Sequence, residues 1–213
     1  MSTLGVLVAG GRGRRLGLGV PKALATLDGR TFLERTLEAL AGACDEVVVA
    51  LPAGMELPLG GVRRVDDLAG ASDEGGGDER GAGPLAGLLA GLASGPFERA
   101  VALGVDYPRM TSDVLAGLAR LMREEAARTS IDGLVPRVDG RLQPLAAVYA
   151  PSALAPLRDY FDSGGRGLMG GIGRLALAIP DEPALRAAFG EGAPEAFANV
   201  NTPEALAALG GAR

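Results

Sequence analysis

The sequence predicts an α/β domain built on an open, mostly parallel sheet, with ligands bound at the carboxyl ends of its strands. Short apolar runs alternate with amphipathic helical patterns along the chain. The strand-like runs are almost continuously apolar, which is typical of parallel strands covered on both faces. Apolar residues make up 47% of the 213 residues and charged residues 22%, enough for one core despite 34 glycines and 14 prolines. We therefore expect a single domain over residues 1–213.

Three strands and two helices are predicted in the first half of the chain. Residues 4–9, 47–51 and 62–65 are the apolar runs that we interpret as strands. Thr31 and Glu34 have the spacing of a capping box, so a helix should begin there and end near Leu40. A second helix should begin at Gly83, because the leucines after it share one helical face. These are Leu85, Leu88, Leu89 and Leu92.

The second half of the chain continues this alternation. Strands are predicted over residues 100–105, 133–138 and 145–150, and a further short apolar run covers residues 175–179. The run Thr111-Ser112-Asp113 can cap the helix that follows the first of these strands. Another helix is expected after Pro151. Thr202 should cap the last helix, with Pro203 at its first helical position.

An acidic, glycine-rich segment covers residues 69–81. Its composition predicts a flexible surface loop, because such a sequence cannot contribute to an apolar core. We place no domain boundary there, since a helical pattern resumes directly after it. An alternative role for the segment is a lid over a binding site near Asp67.

The composition excludes several functional classes. The chain has no His, which rules out a Ser-His-Asp triad, a His general base and His-ligated zinc. Its single cysteine, Cys44, cannot form an intrachain disulfide and is interpreted as a packing residue rather than a nucleophile. A net charge of -5 argues against a nucleic-acid partner. No apolar run reaches the ~18 residues that span a bilayer, and we expect a cytoplasmic protein without a membrane partner.

The loop after the first predicted strand combines glycines with basic residues. Five glycines lie between residues 10 and 22, together with Arg12, Arg14, Arg15 and Lys22. Backbone N–H groups of such a loop can face a phosphate chain, and the concentrated positive charge suits a polyanionic ligand. The pattern is neither a Walker A loop nor a dinucleotide fingerprint. A tight surface turn without a ligand is the alternative interpretation.

Two carboxylates follow predicted strands. Asp106 stands at the end of the strand over residues 100–105, and Asp67 follows the run at 62–65. A carboxylate at the carboxyl end of a strand is well placed to hold Mg²⁺, which takes oxygen ligands and bridges to substrate phosphates. For Asp106, a turn-forming role before Pro108 is an equally good interpretation of the local sequence.

Five segments that occur in order along nearly the whole chain resemble one family. They are A-G-G-R-G-R-R-L-G at 9–17 with the following Lys22, G-P-L-A-G-L at 83–88, V-D-Y-P at 105–108, Q-P-L-A-A-V-Y at 143–149 and N-V-N-T-P-E-A-L at 199–206. Together they resemble the molybdenum cofactor guanylyltransferases of the MobA type. The second and fifth segments are the discriminating ones, since many nucleotidyltransferases share the first loop and the strand-end Asp.

The resemblance implies a single-domain, Rossmann-like nucleotidyltransferase fold with a mostly parallel central sheet and helices on both faces. It implies transfer of GMP from GTP to the phosphate of molybdenum-molybdopterin, which forms molybdopterin guanine dinucleotide and releases pyrophosphate with Mg²⁺ as cofactor. The protein partners it suggests are molybdopterin-transfer proteins and the molybdoenzymes that receive the product.

The resemblance also assigns site residues. Arg15, Lys22 and Asp106 would be catalytic, with Asp106 as the Mg²⁺ ligand. Asn199 and Asn201 would lie on the pterin side. The expected GTP-binding residues are Val8, Ala9, Gly10, Gly11, Gly17, Lys22, Asp67, Gly83, Gly87 and Asp106.

Three positions depart from the family pattern and keep alternatives open. Ala50 stands where the family often has Asn, Gln143 where a His commonly precedes the Pro, and the Pro21-Lys22 pair is more typical of cytidylyltransferases and sugar-phosphate nucleotidyltransferases. One alternative is therefore a nucleotidyltransferase that uses CTP or another acceptor, forming molybdopterin cytosine dinucleotide or acting on an isoprenoid or sugar phosphate. The other is a non-catalytic protein that binds a nucleotide or a pterin.

Overall fold

The computed structural model of the chain describes residues 2–11, 13, 19–68 and 83–210. The strands are β1 (Thr3–Val8), β2 (Thr26–Leu27), β3 (Arg30–Thr31), β4 (Glu46–Leu51), β5 (Arg63–Asp66), β6 (Arg99–Gly104), β7 (Gly133–Leu134), β8 (Arg137–Val138), β9 (Arg141–Leu142), β10 (Ala146–Tyr149) and β11 (Leu177–Ala178). The α-helices are α1 (Phe32–Ala41), α2 (Gly83–Leu92), α3 (Ser112–Ala126), α4 (Leu154–Asp162), α5 (Leu168–Ile172), α6 (Glu182–Phe189) and α7 (Pro203–Ala208). Short 3-10 helices cover Lys22–Leu24, Pro151–Ala153 and Ala193–Phe197. The segment 69–81, for which a flexible loop is predicted, lies outside the described residues.

Seven strands form the central sheet, in the order β11-β7-β10-β6-β1-β4-β5. β10 runs antiparallel to both of its neighbours, whereas the other pairings are parallel. From β1 the chain proceeds to β4 and β5 on one side and then crosses to β6 on the other side of β1. The loops that leave the neighbouring strands β1 and β6 therefore diverge, and they open a crevice at the carboxyl ends of these strands. The predicted α/β fold with a mostly parallel sheet is confirmed.

Helices cover both faces of the sheet because side chains alternate along each strand. In β1, Leu7 packs into the layer formed with α1 and α3, where Phe32 and Leu115 are buried. Val6 and Val8 point the other way. The second layer is completed by α2, α4 and α5, and its buried residues include Leu85, Leu88, Leu89, Leu157, Phe161 and Ile172.

Glycines let α2 approach β1 closely. A Cβ atom added at Gly91 would overlap the side chain of Val6, and one added at Gly87 would lie 3.0 Å from Val8 Cγ1. Residues four apart lie on the same face of a helix, so this pair presents bare backbone to the strand. The contact fixes the first turns of α2 beside the carboxyl end of β1.

Local signals in the sequence explain where several elements begin and end. The capping box that opens α1 is formed as predicted: Thr31 Oγ1 accepts from Glu34 N at 3.1 Å, and Glu34 Oε2 accepts from Thr31 N at 2.7 Å. The strand predicted over residues 133–138 is shorter than expected, because β7 ends at Leu134. Pro136 has no N–H group to donate to a sheet, so the chain leaves the sheet there and forms the β8–β9 hairpin.

Within the described ranges, no helix combines the length and the apolar character needed to cross a bilayer.

Candidate functional site

A cavity of about 350 Å³ lies at the carboxyl edge of the central sheet. Four strands bring their ends to it, since it is lined by residues at or just after the ends of β1, β4, β5 and β6. Its lining residues are Val8, Gly10, Gly11, Lys22, Pro52, Asp67, Gly83, Pro84, Val105, Asp106 and Leu145. A mainly apolar cavity with a few convergent polar groups is the usual form of a small-molecule site.

Lys22 reaches the end of β6 from the loop after β1. Its backbone N–H donates to Gly11 O at 3.0 Å, which closes the loop onto the start of the short 3-10 helix. The side chain is largely buried, and its Nζ lies 3.3 Å from Asp106 Oδ2 and 2.5 Å from Asn201 Oδ1. Lys22 therefore contacts both Asp106 and Asn201, and Asn201 lies 179 residues away from it in the chain.

The segment over residues 199–201 is anchored to the end of β6. Val200 N donates to Asp106 O at 2.8 Å, and the Val200 side chain is buried. Asn199 and Asn201 on either side of it are exposed. The structure thus places both asparagines expected on the pterin side next to Asp106.

A buried hydrogen-bond chain lies behind this segment. The Tyr107 hydroxyl donates to Gln143 Oε1 at 2.9 Å. Burial raises the pKa of the Tyr107 phenol well above its usual range, and the Asp106 charge adds to this. The phenol is therefore protonated at neutral pH and donates to Gln143.

Among the residues of this hydrogen-bond chain, Gln143 is the one whose contacts were not predicted from the sequence. Its Nε2 donates to Val138 O at 3.3 Å and to Arg141 O at 3.2 Å, so it ties the β8–β9 hairpin to Tyr107. The sequence feature that could have drawn attention to Gln143 is that it is the single Gln of the chain.

Asp67 forms another wall of the cavity. Its Oδ1 is buried and has no hydrogen-bond partner among the described residues. Burial raises the pKa of Asp67 from 3.8 to about 6; the neighbouring Asp66 also raises it, and Arg64 lowers it. A Cβ at Gly87 would lie 3.0 Å from Asp67 Oδ1, and one at Gly10 would lie 3.5 Å from its Oδ2. The two glycines leave the space that this carboxylate occupies.

The structure brings together most of the residues expected at the site. Val8, Gly10, Gly11, Lys22, Asp67, Gly83 and Asp106 line the cavity. Two other expected residues lie next to the cavity without lining it. Ala9 is fully buried, and its N–H donates to Ala50 O at 3.1 Å. Gly87 lies against the Asp67 carboxylate. Arg15 and Gly17, which are expected in the same loop, lie outside the described residues.

The Asp106 carboxylate fits a divalent cation whose other ligands come from a bound molecule. The Asp106 side chain is 22% exposed at the edge of the cavity. In the part of the chain that the structure describes, no cluster of three or more His, Cys, Asp or Glu side chains could hold a metal by itself. Mg²⁺ is commonly held by one or two carboxylates together with substrate phosphates, and Asp106 can supply such a carboxylate.

A larger cleft of about 1080 Å³ lies elsewhere, between α1, α3 and the connection after α6. Its wall carries both signs of charge, with Arg30, Arg120, Glu38 and Glu191 among its residues. None of the residues expected at the site lines it. Position at the strand ends therefore identifies the smaller cavity as the candidate site, although it is not the largest.

Comparison with known proteins adds independent information. A family model described as "MobA-like NTP transferase domain" matches residues 5–177. A Chloroflexus aggregans protein named "Probable molybdenum cofactor guanylyltransferase" is 33% identical over 210 residues, which are 97% of this chain and 92% of that protein. The crystal structure of molybdopterin-guanine dinucleotide biosynthesis protein A from Archaeoglobus fulgidus superimposes with a TM-score of 0.70 at 25% identity, covering 97% of this chain and 96% of that chain. The resemblance inferred from the sequence motifs is confirmed.

One shorter match points to a different nucleotide. A Deinococcus radiodurans protein named 2-C-methyl-D-erythritol 4-phosphate cytidylyltransferase is 57% identical over 58 residues. The matched region is 27% of this chain and 25% of that protein. The likeness is therefore strong but local.

Proposed function

The chain belongs to the MobA-like NTP transferase family, and from that premise we propose that it transfers GMP from GTP to the phosphate of molybdenum-molybdopterin. The products are molybdopterin guanine dinucleotide and pyrophosphate. The observation that carries this proposal is the meeting of Lys22, Asp106 and Asn201 at the carboxyl edge of the sheet, beside a cavity of nucleoside size. The names of the C. aggregans and A. fulgidus relatives support the choice of nucleotide and acceptor.

In this proposal the cavity binds the nucleoside and the first loop binds the phosphates. Val8, Pro52 and Pro84 supply apolar walls, and the Asp67 carboxyl supplies a polar group for the base or sugar. The backbone at Gly10 and Gly11 faces the same cavity without side chains, so a phosphate chain can approach it closely.

The chemistry requires positioning and charge neutralisation rather than a general base. A phosphate oxygen of the acceptor attacks the α-phosphorus of GTP, a new P–O bond forms, and the bond to the departing pyrophosphate breaks. The attacking phosphate is already ionised at neutral pH, which is consistent with a chain that has no His. Lys22 would neutralise charge on the phosphates, exchanging its present contact with Asp106 for the ligand. Arg15 would add a second cation from the same loop.

Asp106 would hold Mg²⁺ in this proposal. When bound, the cation would neutralise charge on the nucleotide phosphates. The Val200–Asp106 backbone contact would keep the carboxylate in place relative to Asn199 and Asn201.

The direct test is a reconstituted reaction. Purified protein with molybdenum-loaded molybdopterin, GTP and Mg²⁺ is expected to release pyrophosphate and form the guanine dinucleotide, with Lys22→Met as the inactive control. Absence of both products with the wild-type protein would rule the proposal out.

A second candidate is the same reaction with CTP. It is favoured by the local match to the cytidylyltransferase and by Ala50, one of the departures from the family pattern, which is buried near the end of β4. A thermal-shift series with ATP, GTP, CTP and UTP, each with Mg²⁺, separates the candidates, because the preferred nucleotide raises the melting temperature most. A larger shift with CTP than with GTP would select this second candidate.

A further inference from the structure

Arg64 on β5 holds the turn that follows β4. Its Nη1 donates to Met55 O at 2.6 Å and to Glu56 Oε1 at 3.2 Å, and its Nη2 donates to Pro52 O at 3.2 Å. Met55 N donates to the same Pro52 O at 3.1 Å, which closes the turn. One guanidinium group therefore binds the carbonyl oxygens at both ends of a tight turn.

This turn forms part of the cavity wall through Pro52. Pro52 lines the cavity, and a Cβ added at Gly10 would lie 3.0 Å from its Cγ and Cδ atoms. The same added atom would lie 3.5 Å from Asp67 Oδ2. Pro52, Gly10 and Asp67 thus meet at one corner of the cavity, although they follow three different strands. A displacement of the turn would change the shape of the cavity beside the Asp67 carboxyl group.

The same guanidinium group also binds the residue next to Asp67. Arg64 Nε donates to Asp66 Oδ1 at 2.8 Å, and Nη2 lies 2.7 Å from that oxygen. The planar fork of an arginine can make contacts in several directions at once, which a lysine cannot do. Asp66 raises the pKa of Asp67, and Arg64 lowers it. Arg64 therefore offsets a negative charge at the cavity while it holds the turn.

Apolar contacts keep the rest of this connection on the protein. Met55, Leu57 and Leu59 are partly buried and pack against the core. Such contacts are not directional, whereas the hydrogen bonds from Arg64 are. Loss of the guanidinium group would therefore leave the connection attached but would release Pro52 from its fixed orientation.

We propose that Arg64 is a positioning residue for the nucleotide. By holding the carbonyl of Pro52 and pairing with Asp66, it gives the cavity the shape and charge that the nucleoside requires. The inference rests on the proposed function in one respect, since it takes this cavity as the nucleotide site. It depends neither on the identity of the acceptor nor on turnover.

The preceding residue, Arg63, offers a matched control. Successive residues of a strand point to opposite faces, and Arg63 accordingly binds other partners. It donates to Glu46 Oε1 at 2.7 Å and to Ser94 O at 3.1 Å, and none of these three residues lines the cavity. Both arginines tie the edge strand β5 to the domain. If Arg64 were only such a tie, replacing either arginine would lower stability without a specific effect on nucleotide binding.

Isothermal titration calorimetry with GTP and with CTP, each with Mg²⁺, tests the proposal without turnover. At a temperature at which the variants are folded, Arg64→Met should raise the Kd of the better-bound nucleotide about ten-fold. Arg63→Met should leave that Kd within about two-fold of wild type. Arg64→Lys keeps the charge but loses the fork, so it should also raise the Kd, by about three-fold or more.

The Arg64→Lys variant keeps the test decisive if Arg64→Met fails to fold. A wild-type Kd in the folded Arg64 variants, or an equal rise in Arg63→Met, would overturn the positioning role.

Steady-state kinetics give a second readout that a merely structural role would not move. Because Arg64 contacts the turn rather than the reacting groups, Arg64→Met should raise the KM for the nucleotide about ten-fold. The kcat and the KM for molybdenum-molybdopterin should stay within about two-fold of wild type. A fall in kcat with an unchanged nucleotide KM would contradict the proposal.

Failure of the proposed function gives a different result. The wild-type protein would then form no dinucleotide, while calorimetry would still separate Arg64→Met from Arg63→Met. A wild-type protein that binds neither GTP nor CTP would overturn both proposals.

Discussion

At the scale of single residues, Asp67 is held in surroundings that oppose its charge. Its Oδ1 is buried without a hydrogen-bond partner among the described residues, and its neighbour Asp66 is also acidic. Because its pKa is raised from 3.8 to about 6, the folded protein retains a proton that the unfolded chain has lost in this range. The charged carboxylate therefore destabilises the free protein above about pH 6, which is consistent with a group kept for a ligand.

Asp67→Asn should raise the melting temperature, and the gain should depend on pH. Relative to wild type, the gain is full above the folded pKa of about 6 and disappears as the pH falls towards the unfolded value of 3.8. Melting curves at about pH 4 and about pH 7.5 measure it. The control is Asp159→Asn, which neutralises an exposed carboxylate on α4. A pH-independent effect of Asp67→Asn would contradict the burial of this charge.

Asp106→Asn should abolish nucleotide transfer while the fold survives. The amide keeps the shape of the side chain but lacks the charge needed to hold Mg²⁺, so we expect a loss of at least about 100-fold in kcat. The Val200–Asp106 contact is a backbone bond and is unaffected. Pyrophosphate release and circular dichroism together provide the measurement. Turnover near the wild-type level would exclude the role assigned to Asp106.

At the scale of elements, the close contact between α2 and β1 depends on glycine. Gly91→Ala would place a methyl group inside the side chain of Val6, which is fully buried on a central strand and cannot move aside. Overpacking costs about 1–3 kcal/mol, whereas alanine recovers only about 1 kcal/mol of helix propensity. We expect the free energy of unfolding, measured with urea, to fall by up to about 2 kcal/mol.

Gly192→Ala is the matched control for this prediction. A Cβ at Gly192 would meet nothing within 4 Å, and its φ of -79° suits alanine. Its free energy of unfolding should therefore stay within about 0.5 kcal/mol of wild type. Equal effects of the two substitutions would show that α2 can shift away from β1.

Elements with strong local signals could be predicted from the sequence, and elements made by long-range pairing could not. The capping box at Thr31 and the N-caps at Thr111 and Thr202 lie within a few residues of the helices they begin, and all three are formed. The reversed direction of β10 has no local signature, because it depends on how the chain returns to β6. The β8–β9 hairpin does have a local signal, because Pro136 just before it has no N–H group to donate to a sheet.

The residues of the candidate site also divide into those predicted from local motifs and those brought together by long-range packing. The motifs placed Asp67 and Asp106 at strand ends and Lys22 in the loop after the first strand, and the structure puts all three around one cavity. The contacts of Lys22 with Asn201, and of Tyr107 with Gln143, span 179 and 36 residues. Such contacts are set by tertiary packing and by the direction of hydrogen bonds, which a one-dimensional pattern does not record.

At the scale of the whole molecule, topology rather than cavity size locates the site. The strand order reverses between β1 and β6, and the loops after these two strands carry Lys22 and Asp106. Among the described residues, none at the end of a central-sheet strand lines the larger cleft between α1, α3 and the connection after α6.

Arg120→Ala tests this assignment in the larger cleft. Arg120 is half exposed and lies 3.8 Å from Glu124, and surface pairs of this kind contribute little to stability. We expect kcat/KM for nucleotide transfer to remain within about two-fold of wild type. A ten-fold loss or more, about 1.4 kcal/mol, would place part of the site in the larger cleft.

The clustering of amides around Asp106 also has a consequence for the chemical ageing of the protein. Asn and Gln are among the residues that heat degrades, and proteins from hot environments carry fewer of them. With two Asn and one Gln in 213 residues, the chain offers few such sites, and neither Asn precedes a Gly. All three nevertheless lie around Asp106: Asn199 and Asn201 flank Val200, whose N–H donates to Asp106 O, and Gln143 contacts the adjacent Tyr107. Slow hydrolysis of an amide during storage would therefore introduce a negative charge next to the phosphate-binding groups, and old protein should lose activity while still melting as a folded domain.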